Sequence, residues 1–339
     1  MRAVIESWLI GHWYSSNRPP WYLRALESLY GFAYQRAQKK AAGDQDKYRP
    51  SVPLVIVGNL TAGGSGKTPL VIRLCELAGE LGLKAGIAST GYGRSGQETV
   101  LVNADSDVGA CGDEPVLLAR RTGLPVVVAS DRIHAVKKLC DMDVDLIFSD
   151  DGLQSSLHRD LEICVVDGER GLGNGHLLPA GPLRESAERL WKVDHVVTNG
   201  EWHTKPGRLE AAVMELQASS VCSVDQQVEI SLQDFVAQQA GMATHAVAAI
   251  GHPGRFFQML EKLGITAETH AFPDHHSFKA ADFAAIENGT AIIMTEKDAV
   301  KCTGLGLQNA WYIPVVTTLP IEFEHIIGHQ LAALTGEDS

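Results

Sequence analysis

A short apolar run, a glycine-rich loop and an amphipathic stretch follow one another between residues 54 and 81, and few folds accept that order. Leu54–Val57 is apolar and rich in β-branched side chains, and it reads as a buried strand. The loop that follows is Gly58-Asn-Leu-Thr-Ala-Gly-Gly-Ser-Gly-Lys-Thr68, and the spacing after it predicts a helix from about Pro69 to Leu81. A strand feeding a helix through such a loop aims backbone N–H groups and the positive end of the helix at an anion, which is the P-loop arrangement. Residues Thr61, Ala62, Gly63, Gly64, Ser65 and Gly66 are expected to cradle a triphosphate. Lys67 is expected at the β- and γ-phosphates and the Thr68 hydroxyl at Mg²⁺. Strict spacing wants glycine where Thr61 stands; Gly63, Gly64 and Gly66 still supply the turn freedom. The expectation is ATP or GTP binding.

Downstream the pattern repeats. Ala85–Ser89, Pro125–Ala129, Asp145–Phe148, Ile163–Val166 and His195–Thr198 read as buried strands, with helices at Pro115–Arg121 and Ile133–Leu139. Apolar strands alternating with helices predict an α/β fold, a P-loop NTPase-like and mostly parallel sheet with helices on both faces. This P-loop nucleotide-binding domain is expected over residues 41–204 and a polar connecting linker over 205–235, where Val228 and Ile230 alternate. A second, smaller α/β domain is expected over 236–339, beginning with strand Thr244–Ile250. Helix 253–263, strand 266–271, helix 279–287 and strand Ala291–Thr295 follow.

Residues 1–40 differ from the rest. They hold three of the six Trp and four of the seven Tyr, and six bases against two acids in a chain of net charge −12. Val4, Ile5, Trp8 and Leu9 share one helical face, as do Tyr22, Leu26, Leu29, Tyr30 and Ala33, with Pro19 and Pro20 between the two helices. Aromatic rings with cations suit a helix lying at a membrane surface. Helices packed on a domain show the same pattern, so both placements are open. The acidic balance argues against nucleic-acid binding. The six cysteines form no CxxC pair, which argues against a zinc site or a disulfide framework and for reduced cytoplasmic thiols.

Further motifs carry acids and bases. Leu146–Asp150, followed by Asp151, Gly152 and Gln154, is a strand ending in carboxylates, the Walker-B pattern that positions a metal ion. Gly112-Asp113-Glu114-Pro115 sits at a loop-to-helix boundary, where spacing alone makes Asp113 an N-cap. Phe272-Pro-Asp274-His275-His276-Ser-Phe278 lacks a third regularly spaced ligand, which argues against structural zinc; a His held by an acid suits proton removal. Leu178–Glu185 is a rigid Pro/Gly loop in which Arg184 is either an anion clamp or a surface charge. Thr295-Glu-Lys297-Asp298 is similar to the guanine-reading motif of G proteins, but Asn is missing and the Lys is one place late.

As an ordered set, Gly58–Pro69, Gly112–Pro115, Ser149–Gln154, Leu178–Glu185, Phe272–Phe278 and Met294–Cys302 resemble the tetraacyldisaccharide 4′-kinases, and Thr61 matches that family's loop. The resemblance implies two α/β/α domains joined by a two-stranded linker. It also implies a peripheral enzyme on the cytoplasmic face of the bacterial inner membrane. The implied reaction moves the γ-phosphate of ATP, with Mg²⁺, to the 4′-hydroxyl of a lipid A disaccharide 1-phosphate. By the same resemblance Asp113 is the base and His275 its partner, chosen over His276 because it follows Asp274 directly. Asp150, Asp151 and Gln154 organise the metal and nucleophile region, Glu185 lies near the metal, and Arg132 and Arg184 meet anionic groups. The partners implied are the lipid substrate and the membrane surface, with no nucleic acid and no obligate protein.

Two other classes share the loop chemistry. A GTPase acting as a chaperone or metallation factor requires guanine selectivity, against which stand the displaced Lys297 and the absent DxxG switch. A ligase of the dethiobiotin-synthetase type gives no reason for the aromatic, basic N-terminus.

Overall fold

A computed structural model describes residues 2–15, 17–43, 48–287 and 289–336; the side chains of residues 2–7 and 38–43, including Val4, Ile5, Lys39 and Lys40, lie outside the described residues. In chain order the elements begin with α1 (Arg2–Trp13), α2 (Trp21–Gly43), β1 (Leu54–Gly58), α3 (Lys67–Glu80), β2 (Ala85–Ser89) and β3 (Val100–Val102). Next come α4 (Val108–Cys111), α5 (Asp113–Thr122), β4 (Val126–Val128), α6 (Arg132–Cys140), β5 (Leu146–Asp150), β6 (Leu161–Asp167), β7 (His195–Asn199) and β8 (Ala212–Gln217). Then follow β9 (Ser220–Ser223), β10 (Glu229–Ser231), α7 (Leu232–Gln239), β11 (Thr244–Ala248), α8 (Pro253–Lys262) and β12 (Glu268–Ala271). The chain finishes with β13 (Ala291–Thr295), α9 (Glu296–Cys302), β14 (Ala310–Ile313), β15 (Val316–Thr318) and α10 (Ile321–Thr335).

Among the described residues the larger sheet has the order β15-β8-β7-β6-β1-β5-β2-β4-β3. Its strands from β8 to β4 run parallel, and β3 and β15 are antiparallel edges. Side chains of a strand alternate between faces, and a sheet covered on both sides buries each set. In β1, Val55 and Val57 enter one apolar cluster with Leu70 and Leu74 of α3, while Leu54 and Ile56 enter a second with Leu139 of α6. The β-branched run thus works as a central strand because neither face meets water.

The smaller sheet has the order β10-β9-β14-β13-β11-β12. Val247 and Met294 bury on one face with Phe278 and Phe283; Ala248 and Ile293 bury on the other with Phe256 and Leu260 of α8.

The chain crosses between the sheets twice, as β8–β9 and as β14–β15. Because β15 pairs with β8 (Thr317 opposite Leu216) and β14 with β9 (Tyr312 opposite Cys222), the crossings form an antiparallel ribbon. This differs from the sequence boundaries. Residues 205–235 are not one polar linker but contribute β8 to the large sheet and β9 and β10 to the small one. Residues 316–335 return to the large unit, where Arg73 of α3 donates to Glu324 of α10 at 2.8 Å. Strands of three or four residues leave too little periodicity to read. The helix expected over 279–287 is a single 3₁₀ turn at Ala280–Phe283, since Phe283 and Ile286 must both turn into the core of the smaller unit.

The first two helices have two different faces. Trp13 is buried and its indole N–H donates to Pro179 O at 2.9 Å. From α2, Glu27 accepts from Leu177 N (2.8 Å) and meets His176 Nδ1 (3.0 Å), and the Tyr30 hydroxyl donates to Arg184 O (2.8 Å). The opposite face carries Trp21, Tyr22, Leu26, Leu29 and Phe32, of which Trp21 is 81% exposed and Leu29 66%. Tyr30, one turn after Leu26, keeps its place beside that face and lies at its border with the docked side, half-buried. No helix among the described residues is long and apolar enough to cross a membrane.

Candidate active site

The glycine-rich loop stands at the carboxyl end of β1, between its neighbours β6 and β5. Gly63 and Gly66 have φ of 106° and 93°, which only glycine adopts without strain. A side chain at Gly66 would also collide with Asn199, whose amide donates to Ser65 O at 3.3 Å. The first half of the loop is held by the Pro/Gly segment: Ala62 N donates to Pro182 O (2.8 Å) and Thr61 pairs with Leu183. Lys67 and Thr68 open α3, so their side chains lie at the positive end of that helix.

The register sets Asp150 beside Val57, so the expected acids stand next to the loop. Asp150 is 2% exposed, and Oδ1 of both Asp150 and Asp151 is buried without a protein partner. Burial, then the negative charges of Glu114 and Asp151, push the Asp150 carboxyl up to about 7. Burial also acts to raise Asp151, but Lys67 and the Arg184 guanidinium, 2.8 Å away, hold it at about 2. Two acids with unpartnered buried oxygens beside a phosphate loop make a donor set that fits a hard divalent cation. Asp151 has φ of 56°, strained for a residue with a Cβ.

Gln154 and Glu185 face each other at 2.6 Å, and Glu185 also accepts from the Tyr34 hydroxyl of α2 at 2.9 Å. Gln154 donates further to Asn59 O (3.2 Å), so this pair braces the loop and docks α2. Arg132 is directed at Asp150, donating to its carbonyl at 3.4 Å. Arg184 is the ion-pair partner of Asp151 rather than a lone surface charge.

Asp113 is the first residue of α5, after Gly112. It is 4% exposed, and His275 Nδ1 from the smaller unit lies 3.0 and 3.1 Å from its two oxygens. His276 instead faces Asp282 at 3.0 Å. Burial raises the Asp113 carboxyl, yet the His275 hydrogen bond with the charges of Lys297 and Lys301 outweighs it and holds the group at about 2. Burial pulls the His275 imidazole down, and Asp113 more than reverses this, leaving it above its ordinary value. His275 also has positive φ, 58°, and the Tyr92 ring centre lies 4.9 Å from its own.

Local spacing missed three contributors. Lys297 Nζ lies 2.9 Å from Glu114, 3.6 Å from Asp274 and 3.8 Å from Asp113, tying both units together. Gly251, after β11, approaches Gly64 so closely that a Cβ there would strike the loop backbone. Asn199 closes the loop from β7. Each contact joins residues far apart in sequence. Asp298, the last of the guanine-like motif, is fully buried and accepts from Ala249 N (3.0 Å) and Thr295 Oγ1 (2.6 Å), which leaves it no role in reading a base.

Two cavities flank the first turn of α5. One, about 540 Å³, is lined by the loop from Gly64 to Thr68, by Glu114 and by apolar residues including Leu117, Phe256 and Ile313. The other, about 420 Å³, is lined by Tyr92, Asp113, His275 and Lys301.

A family model described as tetraacyldisaccharide-1-P 4′-kinase covers residues 19–332. The tetraacyldisaccharide 4′-kinase of Alcanivorax borkumensis is 43% identical, covering 93% of this chain and 94% of its own length; that of Hahella chejuensis is 43% identical, covering 97% of each. The crystal structure of the "apo" form of LpxK from Aquifex aeolicus in complex with ATP superposes with a TM-score of 0.76 at 26% identity, over 92% of this chain and 98% of that one. The likeness runs over nearly the whole length of the chain, which belongs to the tetraacyldisaccharide 4′-kinase family.

Proposed function

We propose that the protein transfers the γ-phosphate of ATP to the 4′-hydroxyl of tetraacyldisaccharide 1-phosphate, giving lipid IVA. The observation that carries this reading is the Asp113–His275 pair, contributed by two units and placed one residue along α5 from Glu114, which lines the P-loop cavity. ATP lies with its phosphates on residues 63–68 and its base among the apolar walls of the larger cavity. The acceptor sugar enters the second cavity and presents its hydroxyl to Asp113. Thr68, Asp150 and Asp151 are the groups that would hold Mg²⁺, which when bound neutralises phosphate charge.

A carboxylate held at about 2 is a weak base and does not ionise an alcohol in advance. It does not need to. Phosphoryl transfer passes through a loose transition state with little demand on the nucleophile, so the proton leaves late, as the new P–O bond makes the hydroxyl acidic. Asp113 then accepts a proton whose donor has already become strong, and His275 fixes the carboxylate and balances its charge. Because the two come from different units, closure of the cleft and assembly of the proton acceptor are one event.

The exposed face of α2 gives the enzyme its access to a lipid that stays in the bilayer. Trp21, Tyr22, Leu26, Leu29 and Phe32 lie at interfacial depth, with Arg24 and Arg36 toward anionic headgroups of the cytoplasmic leaflet. Leu29→Glu with Phe32→Glu is expected to weaken binding to vesicles containing anionic lipid by about tenfold or more while leaving turnover in detergent micelles near normal. Unchanged sedimentation with vesicles would remove this assignment.

The reading as a whole is tested by incubating the protein with γ-labelled ATP, Mg²⁺ and the disaccharide 1-phosphate. Label is expected in the lipid fraction with ATP strongly preferred over GTP. GTP hydrolysis without lipid labelling would favour the GTPase class.

A further inference from the structure

We propose that His245, Glu268 and His270 form a binding site for a divalent transition-metal ion of the zinc class, at the edge of the smaller sheet and separate from the phosphate-loop acids. The topology builds the cluster. Strand β12 is the sheet edge and pairs in parallel with β11, with His245 opposite Glu268 and Val247 opposite His270. Glu268 and His270 are two residues apart on one strand and so project from one face, and His245 joins them from the adjacent strand on that face. The next strand inward brings Ile292 alongside His245, so no cation competes from that side.

The side chains converge. His245 Nδ1 and His270 Nε2 are 2.8 Å apart, with the nearest Glu268 oxygens 3.8 and 3.9 Å from them; one donor atom from each lies within 4.8 Å of the others. A tetrahedral ion with bonds near 2.0–2.2 Å holds its ligand atoms about 3.3 Å apart. The imidazoles must part by about half an ångström, and one carboxylate oxygen must swing inward by about 0.5–1.5 Å, a movement open to the exposed Glu268 side chain. Without an ion the rings share a single hydrogen bond, one nitrogen donating and the other accepting. Two imidazoles and one carboxylate favour zinc, nickel, copper or cobalt over magnesium or calcium. His245 is 14% exposed, His270 31% and Glu268 71%, so the cluster is sheltered on the His245 side and open on the carboxylate side to an arriving ion and to a fourth ligand. Cysteine spacing gives no sign of this site, because its two histidines are 25 residues apart and meet only through strand pairing.

Bound metal would fasten the edge strand to its neighbour, four residues before the loop that carries Asp274 and His275. The test uses the full chain and Zn²⁺ in competition with a chromophoric chelator. One equivalent is expected to bind the wild type, and affinity is expected to fall about tenfold or more in His245→Ala and in His270→Ala, with Glu268→Gln intermediate. Equal affinity and stoichiometry in the His245→Ala/His270→Ala double variant would overturn the assignment. A second measurement needs no variant. In the wild type, Zn²⁺ is expected to protect His245 and His270 from diethyl pyrocarbonate, read by peptide mass; equal modification with and without the ion would equally overturn it.

Discussion

Changing Asp113 to Asn is expected to lower kcat by roughly 10²–10⁴-fold, the usual contribution of a positioned proton acceptor, with ATP affinity altered by no more than a few-fold. The amide keeps the shape of the side chain and its contact with Glu114 N but cannot take a proton. In the proposed function nucleotide binding rests on other residues, so Lys67→Ala serves as the contrasting variant and is expected to lose ATP affinity instead. The same substitution has a spectroscopic signature. Asp113 is what lifts the His275 imidazole against the pull of burial, so in Asp113→Asn its titration, followed by NMR, is expected to drop below the ordinary histidine value. Stability gives a further check on sign. The folded carboxyl lies below its unfolded value, so its contribution, on the order of 2 kcal/mol, is present above about pH 4 and disappears as pH falls toward 2. Denaturant unfolding of wild type and variant should therefore converge over that window. Near-normal turnover by Asp113→Asn would remove the base assignment.

Lys297→Met is expected to be the most damaging single change outside the residues that touch substrate. The ammonium is 16% exposed and stands among Glu114, Asp274 and Asp113, and their charges hold its pKa well above the ordinary lysine value despite the opposing effect of burial. Removing one partner of a buried ionic cluster leaves the others uncompensated, a loss of about 3 kcal/mol or more. Here three carboxylates would face each other with Lys301, 4.0 Å from Asp113, His275 and, on the Glu114 side, Lys67 as cations nearby. Both the thermal midpoint and kcat should fall, because the residue joins the two units where the dyad forms. Lys297→Arg should restore part of the stability and less of the turnover, since a planar guanidinium cannot take the same three-way position. A Met variant as stable as wild type would show that the three acids carry little repulsion in the fold.

The sequence made the central sheet legible because buried parallel strands are continuous apolar runs: the expected strands Ala85–Ser89 and Ala291–Thr295 match residue for residue. The loop was equally plain, since glycine and lysine spacing is local chemistry. What stayed hidden is whatever depends on separation along the chain. Asp113 reads as an ordinary helix start until His275, 162 residues away, arrives beside it. Family resemblance, rather than spacing, identified that pair. The three-residue strand β15 and the return of α10 had no periodic signal long enough to assign them to the large unit. For α2 the structure shows the packed placement, and for one side of the helix only. Glu27, Tyr30 and Tyr34 dock it, while Leu29 and Phe32 face outward.

The paired crossing between the sheets constrains how such a molecule can move. A lone strand would let the smaller unit swivel freely, whereas two antiparallel strands, interrupted only at Ala218–Ser219 and Pro314–Val315, behave as a leaf spring. Such a spring flexes out of its own plane but resists sliding lengthwise, so an opening and shutting of the cleft would bring the imidazole back to the same carboxylate along one arc.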